Sequence, residues 1–337
     1  MAADPASGRP TKSSLNSGAQ HMVAPSRVAL TGATGFIGMA LLRCLTGAGW
    51  QVRALYRPKA GRIPPHLPGV EWLPGNLDDR VALNALVTGT EAVVHCAGVV
   101  RGARCSDFDP VNAAGAGEVA RAAANQTPVP RFLLISSLAA RMPLLSHYSG
   151  SKWRGECEIK AVLENLRWTV LRPPAVYGPG DRELLPLFRC IAKGYAPLPA
   201  GTNRRLSLIH VDDLALAVLR WLESDAGDGQ TFELDDGHPG GYSWDTVLSL
   251  AGLALRGGAK VRRVPIPVPI LYLVALANLA SARLFGYAPM LTPGKLREIM
   301  HPDWVCDNHA IMVATGWRPK LGLEMGLAQA YGGGFPD

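Results

Sequence analysis

Three side chains in this sequence have the chemistry to move a proton together: Ser137, Tyr148 and Lys152. Tyr148 and Lys152 are four residues apart, so on a helix they share one face. An ammonium beside a phenol favours the phenolate and lowers the tyrosine pKa. Such a tyrosine exchanges a proton with a carbonyl or hydroxyl near neutral pH, and a serine hydroxyl can hydrogen-bond the same oxygen. A Tyr-x-x-x-Lys pair alone also describes an ordinary surface helix, so its surroundings carry the argument. Arg131-Phe132-Leu133-Leu134-Ile135-Ser136-Ser137 reads as a strand. Ser137 therefore lies at a carboxyl end, where the ligand crevice of an open α/β sheet is found.

The element that would bring a ligand to these residues lies near the start. The apolar run Val28-Ala29-Leu30 leads into Thr31-Gly32-Ala33-Thr34-Gly35-Phe36-Ile37-Gly38, and an amphipathic stretch, Met39 to Leu45, follows. This is a strand, a tight turn and a helix start, the setting of a phosphate-cradling motif. Gly32 suits the turn, Gly35 lets a pyrophosphate approach the main chain, and Gly38 lets the helix pack close to the sheet. Thr34, Phe36 and Ile37 lie in the same turn and join the candidate cofactor contacts. The helix N-terminus adds free N–H groups and a partial positive charge. The spacing is Gly-x-x-Gly-x-x-Gly rather than Gly-x-Gly-x-x-Gly. The second strand, Gln51 to Arg57, ends in Tyr56-Arg57, with Lys59 and Arg62 close behind, where an NAD site would carry an acid. A cation there suits a 2′-phosphate, so NADP is preferred, with NAD and a solvated basic loop as the alternatives.

Further runs, Val70–Pro74, Ala92–Gly98 and Trp168–Pro173, alternate with helical stretches. That alternation predicts an α/β fold with a doubly wound parallel sheet. Asp79 is placed to cap a helix over Arg80–Val87. His95 reads as a packed or backbone-bonded histidine. A helix from about Pro110 to Ala124 carries Asn112. The loop Pro174 to Asp181 leaves the sixth strand at the ligand end of the sheet. A strand at 206–211 is expected to return to the sheet, and helix capping accounts for one of Asp212 and Asp213. The expected division is a leader or tag at 1–26, a dinucleotide-binding domain at 27–178, and a smaller substrate-binding α/β region over most of 179–337. The leader is rich in Ser, Ala, Gly and Pro, lacks a hydrophobic segment and carries a His21-Met22 junction of cloning type; it is expected to be disordered.

Composition narrows the function classes. Hydrophobic residues make up 48% and charged residues 18%, which argues against global disorder. The net charge of +7, from 34 basic and 27 acidic residues, suits an anionic ligand. No block of like charges argues for nucleic-acid binding. The six cysteines, Cys44, Cys96, Cys105, Cys157, Cys190 and Cys306, form no metal-ligand spacing and read as reduced core thiols in a cytoplasmic protein. Ile270–Phe285 is apolar but interrupted by Asn278 and Arg283, and its sixteen residues fall short of the ~20 of a membrane span. The reading is a helix packed over the substrate pocket, with membrane-surface contact as the alternative.

Taken together, Thr31 to Gly38, His95-Cys96-Ala97-Gly98, Val111-Asn112, Ser136-Ser137, Tyr148 to Lys152, Arg172 to Pro179 and His210 to Asp213 resemble the extended short-chain dehydrogenase/reductase superfamily, in its NAD-dependent epimerase/dehydratase branch. The likeness runs from about Arg27 to Tyr331. It implies a Rossmann fold and hydride transfer between a nicotinamide and a secondary alcohol or ketone, with Tyr148 as acid/base. Lys152 would bond the nicotinamide ribose and tune Tyr148, and Ser137 would orient the substrate oxygen. Asn112 would support the sheet or a proton relay. Ala97 and Gly98 would line the cofactor, Pro173 to Tyr177, Val176 among them, would border the nicotinamide, and Arg57 would meet the 2′-phosphate, as in dihydroflavonol-reductase-type members. Asn76-Leu77 stands where many members carry Asp-Leu beside the adenine. The segment Ala200 to Ser207 is loosely similar to the arginine-bearing diphosphate segment of nucleotide-sugar members, whereas the apolar C-terminal part is similar to members that act on hydrophobic alcohols and ketones. The resemblance thus leaves two enzymatic readings, a reductase or dehydrogenase and a nucleotide-sugar epimerase or dehydratase, and a homodimer is compatible with both. A non-catalytic NADP-binding sensor or scaffold is a third reading, though such relatives usually lack the tyrosine or the lysine.

Overall fold

The computed structural model describes residues 26–58, 64–162, 165–201 and 204–335. Nearly all of the leader, together with Lys59, Arg62, Thr202 and Asn203, lies outside them. Six strands open the chain: β1 (Arg27–Thr31), β2 (Gln51–Tyr56), β3 (Val70–Pro74), β4 (Ala92–His95), β5 (Arg131–Ile135) and β6 (Trp168–Arg172). They lie in the order β6-β5-β4-β1-β2-β3, and Gln230–Glu233 adds a seventh strand beside β6. Every pairing in this sheet is parallel. The order reverses between β1 and β4, so a crevice opens beyond their carboxyl ends.

Period-two alternation sends neighbouring side chains to opposite faces. Val28, Leu30, Val94, Leu133 and Ile135 join a core with helix α1 (Phe36–Gly47), helix Val211–Glu223 and Trp317. Ala29, Val93, Phe132 and Leu134 face the helices Arg80–Val87 and Gly115–Ala124. A third core, around Tyr177, Phe188, Tyr242 and Leu327, holds the C-terminal part together.

Two expectations are corrected here. The strand that returns to the sheet is Gln230–Glu233, not the 206–211 stretch. Leu208–His210 pairs instead with Ala175–Tyr177 in a separate ribbon. Pro173-Pro174 carries the chain out of β6, and only after helix Val211–Glu223 has crossed over can a parallel strand reach that edge. The division at residue 178 is therefore interleaved, since Val211–Glu223, Phe232 and Trp317 all belong to the first core. In addition, neither Asp212 nor Asp213 caps that helix. His210 is its N-cap, accepting from the Asp212 N–H at 3.3 Å, while Asp213 accepts from the Lys320 and Leu321 N–H groups.

Asp79 does cap Arg80–Val87, accepting from Ala82 N–H at 3.0 Å. His95 is buried, and its Nδ1 meets Thr31 Oγ1 at 2.8 Å. The six cysteines form no disulfide, but only four are partly buried; Cys105 and Cys157 are exposed rather than core.

Candidate active site

At the end of β5 the chain turns into a short 3-10 segment, Leu138–Arg141, capped by Ser137. The Leu138 N–H donates to Pro173 O at 2.8 Å, which ties this turn to the end of β6. The helix His147–Lys160 then starts on a reciprocal cap: Ser146 Oγ accepts from Ser149 N–H, and Ser149 Oγ accepts from Ser146 N–H, both at 3.0 Å. A serine followed three residues later by a second cap-forming side chain is a helix-start signal that the sequence reading passed over.

This helix presents Tyr148 and Lys152 on one face, as their spacing requires. The Ser137 hydroxyl, which accepts from Ala139 N–H at 3.2 Å, lies close enough to Tyr148 to pull its pKa down. Lys152 is buried, and its Nζ donates to Ile135 O at 2.8 Å. A side chain placed on exposed Gly98 would fall 3.7 Å from that ammonium, so Lys152 lies under the ledge after β4. Burial pushes the Lys152 pKa down to about 8 against the pull of Cys96 and Glu156.

Tyr148 departs from the expected depression. Burial raises its pKa, and Ser137 and Lys295 act the other way without overcoming it. Lys295 sits with Nζ 5.5 Å from the Tyr148 ring centroid and 2.9 Å from Glu298 Oε2. Glu298 also bonds Ser146. Nothing in the sequence pattern connects the segment 295–298 to Tyr148; only the fold does.

Asn112 sits on a π-helical turn, Pro110–Ala114, inside a helix that begins at Cys105 rather than near Pro110. Its Oδ1 accepts from Val99 N–H at 2.8 Å, and its Nδ2 donates to Val99 O at 2.9 Å and to Ser151 Oγ at 2.9 Å. The amide thus fastens the ledge after β4 to the Tyr148 helix, a supporting position. π-turns of this kind often mark functional sites.

The cofactor turn has the shape a dinucleotide requires. Gly32 has φ +72°, and a Cβ there would meet Ala97 N at 2.6 Å. A Cβ on Gly38 would meet Gly32 O at 2.1 Å. Gly35 is the N-cap of α1 without a side-chain cap, and no acid stands in the first turn, so its N–H groups are left for an anion. Thr34 is exposed there, while Phe36 and Ile37 pack half-buried on the core. Arg57 is exposed just past β2. Asn76 accepts from Asp78 N–H, and Leu77 packs beside Gly115. Buried Pro173 and half-buried Val176 border the same end of the sheet. These residues fit a nicotinamide dinucleotide.

Above Tyr148 a cavity of about 330 Å³ is lined by Val100, Phe108, Leu144, Leu279, Met290 and Lys295, among others. Leu279 and Arg283 come from the helix Val268–Phe285. One stripe of that helix is therefore packed over the pocket as expected, but only 11% of the helix is buried.

A family model, the NAD dependent epimerase/dehydratase family, matches residues 28–234. A ceramide reductase of Caulobacter vibrioides is 37% identical over 306 residues, covering 89% of this chain and 92% of that protein. A UDP-glucose 4-epimerase of Vibrio cholerae is 24% identical over 332 residues, covering 90% and 94%. The Bordetella bronchiseptica enzyme WbmH, solved in complex with NAD+, shares the fold with a TM-score of 0.66 at 19% identity, covering 91% of this chain and 97% of that one.

Proposed function

The chain belongs to the NAD dependent epimerase/dehydratase family, an enzyme family, and from that premise we propose that it is an NADP-preferring oxidoreductase that reduces a ketone on an apolar, long-chain substrate. The observation that carries this reading is that Tyr148, with Ser137 beside it, lines a cavity walled by Val100, Phe108, Leu144 and Leu279. The relative named as a ceramide reductase supports the same substrate class.

A bound reduced nicotinamide supplies the hydride. Tyr148 gives its proton to the substrate oxygen as that oxygen becomes an alcohol, and Ser137 donates a hydrogen bond to the same atom. Burial holds Tyr148 protonated, the state a donor needs. Lys152 provides the positive charge that offsets the phenolate left behind. Gly32, Gly35 and the N-terminus of α1 hold the pyrophosphate, and Arg57 meets the 2′-phosphate.

One observation favours a second reading. A separate cavity is lined by Arg204, Arg205, Arg263 and His238, with Asp245 3.5 Å from Arg263 as its acid, a net basic setting for the diphosphate of a sugar nucleotide. The two readings separate on one measurement: nicotinamide absorbance with NADPH or NADH against long-chain ketones and a UDP-sugar panel. Oxidation of NADPH by a ketone supports the reductase, and Tyr148→Phe should then cut turnover by about 10²–10⁴-fold while NADPH binding persists. Conversion of a UDP-sugar without net oxidation of the cofactor selects the epimerase. Full activity in Tyr148→Phe overturns the proton-donor role.

A further inference from the structure

The helix Val268–Phe285 is built unlike any other helix described in this chain. Its eighteen residues have a mean hydropathy of 1.7, yet 11% of it is buried. Ala275 and Ala282 are its buried positions, and with Asn278 and Leu279 they form the one stripe that faces the protein. The opposite side presents Ile270, Leu273 (68% exposed), Val274, Leu276 (54%), Leu284 and Phe285 (74%). Contiguous apolar surface of this kind marks an interaction site.

The charge around it selects the occupant. From 246 to 297 the sequence holds no Asp or Glu, while Lys260, Arg262, Arg283 and Arg297 are among its seven basic residues. Two copies meeting through this face would bring Arg283 and Arg297, which line the cavity mouth beside it, against their own copies, which is unfavourable. An anionic lipid surface satisfies both parts at once, with hydrocarbon for the apolar side chains and headgroup phosphates for the cations. A helix of this length spans ~27 Å, short of the ~30 Å of a bilayer core. Its inner stripe is fixed to the protein, so it lies in the interface rather than crossing.

The face is continuous with the cavity mouth. Leu279 and Arg283 line the cavity above Tyr148, as do Val100, Met290 and Leu144, the last 95% exposed. We infer that helix Val268–Phe285 seats the protein on an anionic phospholipid membrane, with the cavity mouth at the lipid surface. The docking stands on its own observations; the corollary that a long-chain ketone enters from the lipid rests on the function proposed above.

The test is flotation of the full chain with vesicles of phosphatidylcholine, alone and mixed equally with phosphatidylglycerol. The expected result is binding to the mixed vesicles, weakened by high salt. Leu273→Glu with Leu276→Glu, and separately Lys260→Glu with Arg262→Glu, should each weaken it by about tenfold or more, the scale of two basic contacts at such a surface. Val313→Glu, on a different helix with a side chain 73% exposed, should change it less than about twofold. Retained NADPH binding shows that each variant is folded. Absence of flotation, equal loss in the Val313 control, or a dimer that the Leu273/Leu276 variant converts to monomer overturns the inference. A chain that floats but reduces no ketone overturns the proposed activity and leaves the docking intact; one that reduces a soluble ketone and ignores vesicles overturns the docking alone.

Discussion

Arg172 grips Glu156 through two bonds, Nε to Oε1 at 2.9 Å and Nη2 to Oε2 at 2.6 Å, with Glu156 only 1% exposed. Ser136 adds a third, donating to Oε1 at 2.6 Å. Ser136 precedes Ser137, and Glu156 lies one turn beyond Lys152. The pair therefore joins the strand ends that carry Ser137 to the helix that carries Tyr148 and Lys152, and it fixes their mutual position from beneath.

Removing one partner of such a buried pair leaves the other charge unpaired. Glu156→Ala should cost about 3–5 kcal/mol of stability, read as a shift in the urea midpoint. Glu156→Gln keeps the shape and part of the bonding, so it should cost less. Its kcat should nevertheless fall while the Kd for NADPH stays within a few-fold, because the phosphate-binding turn is on another part of the sheet. Unchanged stability in Glu156→Ala would show that the pair does not lock the helix.

The sheet and the meeting of Ser137, Tyr148 and Lys152 at one end of it were legible because their signals are local. Four-residue spacing puts Tyr148 and Lys152 on one face, and strand alternation places Ser137 at a carboxyl end. Helices and parallel strands declare themselves over a few residues. What was not legible depends on distant packing. The approach of Lys295 and Glu298 to Tyr148 joins segments about 150 residues apart, with no periodicity linking them. The seventh strand was misplaced because Leu206 to Val211 and Gln230 to Leu234 are equally strand-like, and only the crossover helix between them decides which reaches β6. The exposure of Val268–Phe285 was hidden for the opposite reason: an apolar stretch reads as buried, and sequence does not state what covers it.

In the function proposed above, the preference for NADP rests on Arg57, exposed beyond the end of β2. A charge-assisted bond to a 2′-phosphate is worth about 1.5–3 kcal/mol. Arg57→Ala should therefore raise the KM for NADPH by about 10–100-fold and leave that for NADH unchanged. Equal effects on the two cofactors would place the 2′-phosphate elsewhere.

Acid should destabilise the protein through His95. Burial, with Lys152 adding to it, pushes its pKa down to about 3, against about 6.5 in an unfolded chain. Between those values the unfolded state binds more protons than the folded one. Its contribution to stability is thus complete above about pH 6.5 and is lost as pH falls, at up to about 1.4 kcal/mol per unit. His95→Asn keeps a partner for Thr31 and should make unfolding free energy less steep with pH across that window. Urea titrations at several pH values measure the two slopes, and parallel slopes would mean that His95 is not the titrating group.

Turnover should fail at the other end of the scale through Lys152. Its charged form is present below about pH 8, the value to which burial lowers it. As pH rises through that value the ammonium loses its proton, and with it the charge that offsets the Tyr148 phenolate. A plot of kcat/KM against pH reports groups of the free enzyme, so it should fall above about 8. Lys152→Arg carries a charge that persists to above about pH 12, so the alkaline fall should move out of range although the rate is lower throughout. Lys152→Met should lower the rate at every pH and remove that limb altogether. A limb that stays near the same pH in Lys152→Arg would assign it to another group, and the ammonium would then serve only to hold Ile135 O at the end of β5.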